Sequence, residues 1–235
     1  IRRLIADGVS PSGIAVLTFS NKAAGELKER LVDIPSENGP HISTFHSLGL
    51  KIIKGDPEAF GLAEGFILLN DEEKLYILKK VIPEKKSGFN ALLNKISACK
   101  QGIETDVDPL LFEEYNRMLR EGNFIDVDDL VYLPCLKSES SSEVRGVIGG
   151  MFSNLFIDEF QDINSMQYRF IRLLAPESAS DVFTIGDPDQ SIYGFRGASP
   201  EFIARLKGDY PEMREFILKR SFRCSSVILR AAGQV

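Results

Sequence analysis

Leu155-Phe156-Ile157-Asp158-Glu159-Phe160-Gln161-Asp162 is the stretch on which the fold turns. Three apolar residues run straight into two adjacent carboxylates. A buried strand of a parallel sheet delivers its last residues to the ligand crevice beyond its carboxyl end. One carboxylate there suits a hydrated Mg²⁺, which keeps several waters and takes one or two protein carboxylates. The next, pointing elsewhere, suits orienting or deprotonating a water. The same residues also read as a strand that ends in a solvated acidic turn.

Outward from this stretch the pattern alternates. Ile14 to Phe19 is an apolar, β-rich run that passes through Ser20-Asn21 into a helix over Lys22 to Val32. A second unit follows, strand-like from Ile42 to Phe45 and helical from Ser47 to Lys54. Val182 to Ile185 and Phe216 to Leu218 are further strand signals, separated by helical segments at Ser165 to Leu174 and Pro200 to Leu206. Between the two halves, 70–122 is helical throughout. Asn70 with Glu73 forms a capping box, Pro83 stops that helix, and Asp108-Pro109 starts another. The run Lys137 to Glu143 reads as a loop or hinge, and Pro134 as a helix breaker. Strand–helix alternation around a helical block predicts an α/β fold: a parallel sheet with helices on both faces, interrupted by a small all-helical subdomain.

Composition narrows the function classes. The 235 residues carry 28 basic and 34 acidic side chains, a net charge of −6, so composition does not suggest a strongly basic nucleic-acid binder. No apolar run is long enough for a membrane-spanning helix, and no membrane partner is expected. Three scattered cysteines and two histidines argue against a disulfide scaffold or zinc finger and for a reducing, cytoplasmic setting.

Four further segments carry chemistry-bearing residues. Gly186 to Ala198 (GDPDQSIYGFRGA) is a shaped loop after a strand. It gathers an amide, Gln190, the aromatics Tyr193 and Phe195, and Arg196. It reads either as a coupling loop, with the amide toward a phosphate and the rings toward bases, or as a tight loop whose rings fill the core. Leu218 to Ser226 sets Phe222 beside Arg223, which suits base stacking and a bidentate phosphate contact, and equally suits a surface arginine beside a packed ring. Thr18 to Ala24 and Ser43 to Ser47 are strand ends running into helix starts, where hydroxyls and free N–H groups suit a phosphodiester backbone or ordinary capping.

Taken in order, these segments resemble the UvrD/Rep family of superfamily 1 DNA helicases. TFSNKAAGELKERL is similar to that family's motif Ia, STFHSLGLKIIK to motif Ib and IDEFQDINSMQ to motif II. GDPDQSIYGFRGA is similar to motif III and LKRSFRCSSVIL to motif IV, with FIDVDDL resembling the acidic stretch ahead of motif II. The resemblance implies a RecA-like motor domain over 1–55 and 123–235 and a helical insert over 56–122. It implies ATP and Mg²⁺ as cofactors, with Asp158 on the metal and Glu159 activating the attacking water. Gln190 would sense the γ-phosphate, Phe222 would lie on the adenine, and Arg223 would reach the γ-phosphate. Phe19, Asn21, His46, Tyr193, Phe195 and Arg196 would line a single-strand track. The implied partners are single-stranded DNA, duplex junctions and a second motor domain, and the implied direction is 3′ to 5′.

Two departures from the family pattern stand out. No GxxxxGK[ST] loop occurs, and the chain has no Gly-Lys dipeptide. The backbone cradle, lysine and metal-binding hydroxyl of that loop are therefore expected upstream of Ile1 in a longer protein. The sequence also stops soon after motif IV, so the chain by itself is expected not to turn over ATP. The alternative is a DNA-binding or protein-interaction module that has lost its ATPase.

Overall fold

The fold is taken from a computed structural model of the chain, which describes residues 1–34, 37–176, 181–194 and 197–233. Its strands are β1 (Ile14–Thr18), β2 (His41–Thr44), β3 (Ile67–Leu68), β4 (Phe124–Ile125), β5 (Asn154–Ile157) and β6 (Asp181–Thr184). The helices are α1 (Arg2–Ala6), α2 (Asn21–Arg30), α3 (Phe45–Gly55), α4 (Asp71–Val81), α5 (Phe89–Lys100), α6 (Pro109–Glu121), α7 (Asp129–Ser140), α8 (Ser142–Gly149), α9 (Ser165–Leu174), α10 (Glu201–Asp209) and α11 (Ser226–Ala232).

β1 is buried along its whole length, and its sequence, IAVLT, is the apolar run a central parallel strand needs. It pairs with β2 on one side and β5 on the other, and β6 completes the order β2-β1-β5-β6, all parallel. The register sets Thr18 against Thr44, Leu17 against Ile157 and Ile157 against Thr184. All four strands therefore end at one level, and whatever follows them shares one rim. On one face Leu17, Leu155 and Ile157 join Leu48, Phe160, Phe170 and Ile171 in the main core. On the other, Val16 and Ile42 pack with Ala24 of α2. Helices thus cover both faces, as the alternation predicts.

The helical block has a core of its own. Leu69, Ile77, Leu78, Ile96, Tyr115 and Leu119 form a separate apolar cluster. Its caps are the expected ones: Asn70 and Glu73 bond reciprocally at the start of α4, and Asp108 accepts from the Leu110 N–H ahead of Pro109. Besides its helices, the block contributes β3, which pairs in parallel with β4 where the chain returns to the main core.

Three expectations fail. The run Lys137 to Glu143 is not a loop: α7 continues to Ser140, and Ser141 at once caps α8 by accepting from the Val144 N–H. The Arg145 guanidinium donates to the Ser138 carbonyl at 2.7 and 2.9 Å, closing the end of α7 in place of a loop. Pro134 does not break α7 either. It lacks the N–H that would bond the Leu130 carbonyl, and that carbonyl faces Gly49 of α3, where a Cβ would stand only 1.8 Å from it. Close helix contact takes the place of the missing bond. Lastly, Phe216 to Leu218 form no strand and are 79%, 75% and 92% exposed. Strand-forming side chains alone do not make a strand: among the described residues these three pair with no neighbour, and the outer edge of β6 stays open, with Phe183 half-exposed beside it.

Candidate functional site

At the end of β5 the Asp158 N–H still donates to the Leu17 carbonyl, 2.9 Å, in the manner of the sheet. Glu159 then turns into the left-handed region, φ 51°, before a 3₁₀ turn over Phe160–Asp162. Left-handed backbone is rare for a residue with a Cβ and marks local strain. The turn separates the two carboxylates: Asp158 is half-buried and Glu159 exposed. Burial, then the charge of Glu159, pushes the Asp158 carboxyl above its usual range, and the same two causes raise Asp162. Asp162 Oδ1 is buried without a hydrogen-bond partner among the described residues.

No group of three metal-ligating side chains occurs among the described residues. That fits a Mg²⁺ held by one protein carboxylate and by substrate oxygens. The donor set fits: Asp158 makes no ion pair among the described residues, and burial with the neighbouring charge of Glu159 disfavours its own charge, which a bound cation would offset.

The loop after β6 comes back to this acidic end. Gln161, 1% exposed, donates from Nε2 to Glu159 Oε2 at 2.8 Å and accepts on Oε1 from the Asp187 N–H at 3.0 Å. Gly186 makes room for it, since a Cβ there would stand 2.8 Å from Gln161 Oε1. Gln190 is exposed, and its amide donates to Asp187 Oδ2 at 2.6 Å. Three residues on, the Tyr193 ring stacks on Phe19, with centroids 4.8 Å apart and planes 26° apart. These rings come from the ends of different strands and meet on the rim rather than in the core; Phe19 is 39% exposed. Phe195 and Arg196 lie outside the described residues.

Behind the stacked rings is a cavity of about 260 Å³ lined by Phe19, Tyr193, His46, Gln101, Asp128 and Asp162 among others. His46 enters it from the first turn of α3, which Thr44 caps. Burial lowers the His46 pKa, opposed by the charge of Asp128, so the ring favours its neutral form. Asn21 stands exposed at the first position of α2, where Ser20 accepts from the Ala23 N–H at 3.1 Å. The rim thus gathers Phe19, Asn21, His46, Asp158, Glu159, Gln190 and Tyr193.

Phe222 and Arg223 are not gathered with them. Phe222 is 89% exposed under the Arg220 guanidinium, 5.1 Å from its ring. Among the described residues no hydrogen bond, ion pair or ring contact joins Phe222 or Arg223 to Asp158, Glu159 or Gln190; the Arg223 N–H bonds only Ser221 Oγ, 3.3 Å. The exposed, strandless segment before them explains why nothing holds them near.

Residues that sequence reasoning missed lie just beneath the rim. Lys100, fully buried at the end of α5, donates to Asp126 Oδ2 and Asp129 Oδ1, both at 2.7 Å. Ser97 and Gln101 donate to the two oxygens of Asp128 at 2.6 and 2.9 Å. The three aspartates stand out in FIDVDDL, but their partners sit 26 to 31 positions away, where no local pattern points.

A parallel sheet with helices on both faces, an acidic strand end and an aromatic pair on one rim define the chain as a RecA-like α/β domain. Residues 1–211 match the family described as UvrD/REP helicase N-terminal domain, and the chain belongs to that family. It is 35% identical over 246 residues to the ATP-dependent DNA helicase Rep of Buchnera aphidicola subsp. Acyrthosiphon pisum (strain APS), covering 96% of this chain and 38% of that protein. It is 36% identical over 247 residues to the ATP-dependent DNA helicase Rep of Escherichia coli (strain K12), covering 96% and 36%. With the ATP-dependent DNA helicase PcrA of Staphylococcus aureus (strain Mu50 / ATCC 700699) it shares 31% over 247 residues, covering 97% and 34%. The chain spans little more than a third of the length of these curated relatives. Among the described residues no helix is long and apolar enough to cross a membrane.

Proposed function

We propose that this chain is the N-terminal motor part of an ATP-dependent DNA helicase that moves 3′ to 5′ along a single strand. The observation that carries this reading is the shared rim: the adjacent Asp158 and Glu159 carboxylates and the Phe19–Tyr193 stack, linked by the loop that follows β6. In it, 1–55 and 123–235 act as motor core and 56–122 as insert, a division favoured by the separate apolar cluster of the insert.

Bound Mg²⁺–ATP would supply the charge and the scissile phosphate bond. Asp158 would hold the metal as a hard oxygen ligand. Glu159, turned off the strand by its left-handed backbone, orients and deprotonates the water. Gln190 reaches the γ-phosphate by giving up its bond to Asp187. Phe19 and Tyr193, with Asn21 and His46 along the same rim, grip single-stranded DNA by stacking and backbone contacts, and Phe195 and Arg196 share that task. Such a grip needs no basic face and tolerates the acidic balance of the chain. Duplex junctions lie ahead of this track. Phe222 and Arg223 reach adenine and γ-phosphate once the segment from Phe216 is drawn onto the open edge of β6, beside a strand of the longer protein that carries the phosphate-binding loop. A second motor domain closes the cleft, so the chain alone does not turn over ATP. A reducing cytoplasm suits its three free thiols.

The test is Glu159→Gln in the complete motor. Gln keeps size and hydrogen bonding but neither accepts the proton nor supplies charge, so hydrolysis falls roughly 10²–10⁴-fold with nucleotide binding retained. A hydrolysis rate near wild type would remove Glu159 from this role.

A further inference from the structure

Gln161 touches the acidic strand end and the loop after β6 at once. Its side-chain amide donates to Glu159 Oε2 at 2.8 Å and accepts from the Asp187 N–H at 3.0 Å. Its backbone carbonyl accepts from the Ser191 hydroxyl at 3.2 Å. The orientation of the amide is forced. Turned over, it would set its NH₂ against the Asp187 N–H and its oxygen against the Glu159 carboxylate, two repulsive contacts. The Gln161 bond is also the one side-chain hydrogen bond that Glu159 makes among the described residues. Two residues past Ser191 the same loop carries Tyr193, stacked on Phe19. A chain of direct contacts therefore runs from the aromatic pair, through the loop and one buried amide, to the Glu159 carboxylate.

We propose that Gln161 is a positioning residue: it aims the Glu159 carboxylate according to where the 186–193 loop stands, so that DNA against Tyr193 governs the attack on ATP. This rests on the reading of Glu159 and Tyr193 given above. Removing a bond that aims a catalytic group by about an ångström costs on the order of 10²-fold in rate without touching substrate binding.

The experiment compares Gln161→Met and Gln161→Glu in the complete motor, with steady-state ATPase measured with and without single-stranded DNA. Met keeps length and volume and loses both bonds. Glu keeps the acceptor for the Asp187 N–H and sets a like charge against Glu159. In both, DNA-stimulated kcat falls roughly 10–100-fold toward the DNA-free rate, while KM for ATP and single-strand affinity hold within about a factor of three. A purely structural role gives a different result: thermal stability falls, basal and stimulated rates drop together, and their ratio is unchanged. That result overturns the proposal. If Gln161→Met fails to fold, Gln161→Glu decides alone, and full DNA stimulation in it overturns the proposal. Glu159→Gln is run alongside. If it hydrolyses ATP near the wild-type rate, the reading of the site fails and Gln161 loses its role with it. If it is dead and the Gln161 variants keep full stimulation, only the Gln161 inference fails.

Discussion

Two acidic runs follow strands in this chain, and the protein treats them in opposite ways. After β4, all six carboxylate oxygens of Asp126, Asp128 and Asp129 have partners: Lys100, Tyr115, Ser97, Gln101 and the reciprocal N–H groups of Asp126 and Asp129. Burial opposes the charge of Asp126, but Lys100 outweighs it and holds that pKa low; Asp129, sharing the same ammonium, is pushed by burial up to about 6. After β5, Asp158 and Asp162 are pushed up with no cation paired to them among the described residues, and Asp162 Oδ1 has no hydrogen-bond partner there. Local charge density does not separate the two runs. What separates them is whether a distant residue supplies the counter-charge. A closed cluster fastens one part of the chain to another, and an open one keeps its charge for something brought from outside.

Removing Lys100 should break the contrast most sharply. Lys100→Met strands two buried carboxylates, and stability should fall by about 3–5 kcal/mol, read by urea unfolding of this chain. A loss under about 1 kcal/mol would mean that the carboxylates take up protons or water and that the cluster is not an ionic lock.

A smaller effect should have opposite signs at the two sites. Asp126→Asn leaves Lys100 short of charge and should cost about 1–3 kcal/mol. Asp158→Asn relieves repulsion and should gain up to about 1 kcal/mol. Thermal melts of the two variants settle the matter, and a loss at both would erase the distinction. In the complete motor, Asp158→Asn should also weaken the Mg²⁺ dependence of nucleotide binding, because a hard anionic ligand is gone.

The smallest effect concerns the acid background against which the clusters titrate. Burial first, then Lys51 and Lys28, lowers the His41 pKa from 6.5 to about 4. Between those values the unfolded chain binds a proton that the folded chain refuses. This contribution is present above pH 6.5 and is lost as pH falls through about 4. His41→Gln removes it, so the melting temperature of the variant should gain on wild type as pH drops through that window. A constant difference across it would place the ring in water.

Short-range physics was legible in the sequence. Ser20, Asn70 and Asp108 cap their helices as their positions imply, because a cap needs only the next three residues. The strand ends that carry Asp158 and Phe19 were legible because one apolar run fixes each. Errors arose where the answer lay elsewhere in the chain. The serine-rich run from Lys137 is helical because Arg145 closes one helix and Ser141 opens the next. Phe216 to Leu218 have strand-forming side chains but pair with no strand among the described residues. Gln161 was visible as a letter of the motif, but its work depends on the Asp187 N–H, 26 positions later.

The contact of Gly49 with Leu130 has a mechanical consequence. Because Pro134 leaves that carbonyl free and Gly49 offers no Cβ, α3 and α7 touch backbone to backbone. Two helices joined through side chains can absorb a small displacement by changing rotamers. Two joined through their backbones have no such compliance, and packed interiors transmit strain. α3 begins beside His46 on the rim, and α7 begins at Asp129, which Lys100 ties to α5. Pressure applied at the rim is therefore handed across a stiff joint into the helical block, as a beam passes load from one support to the next.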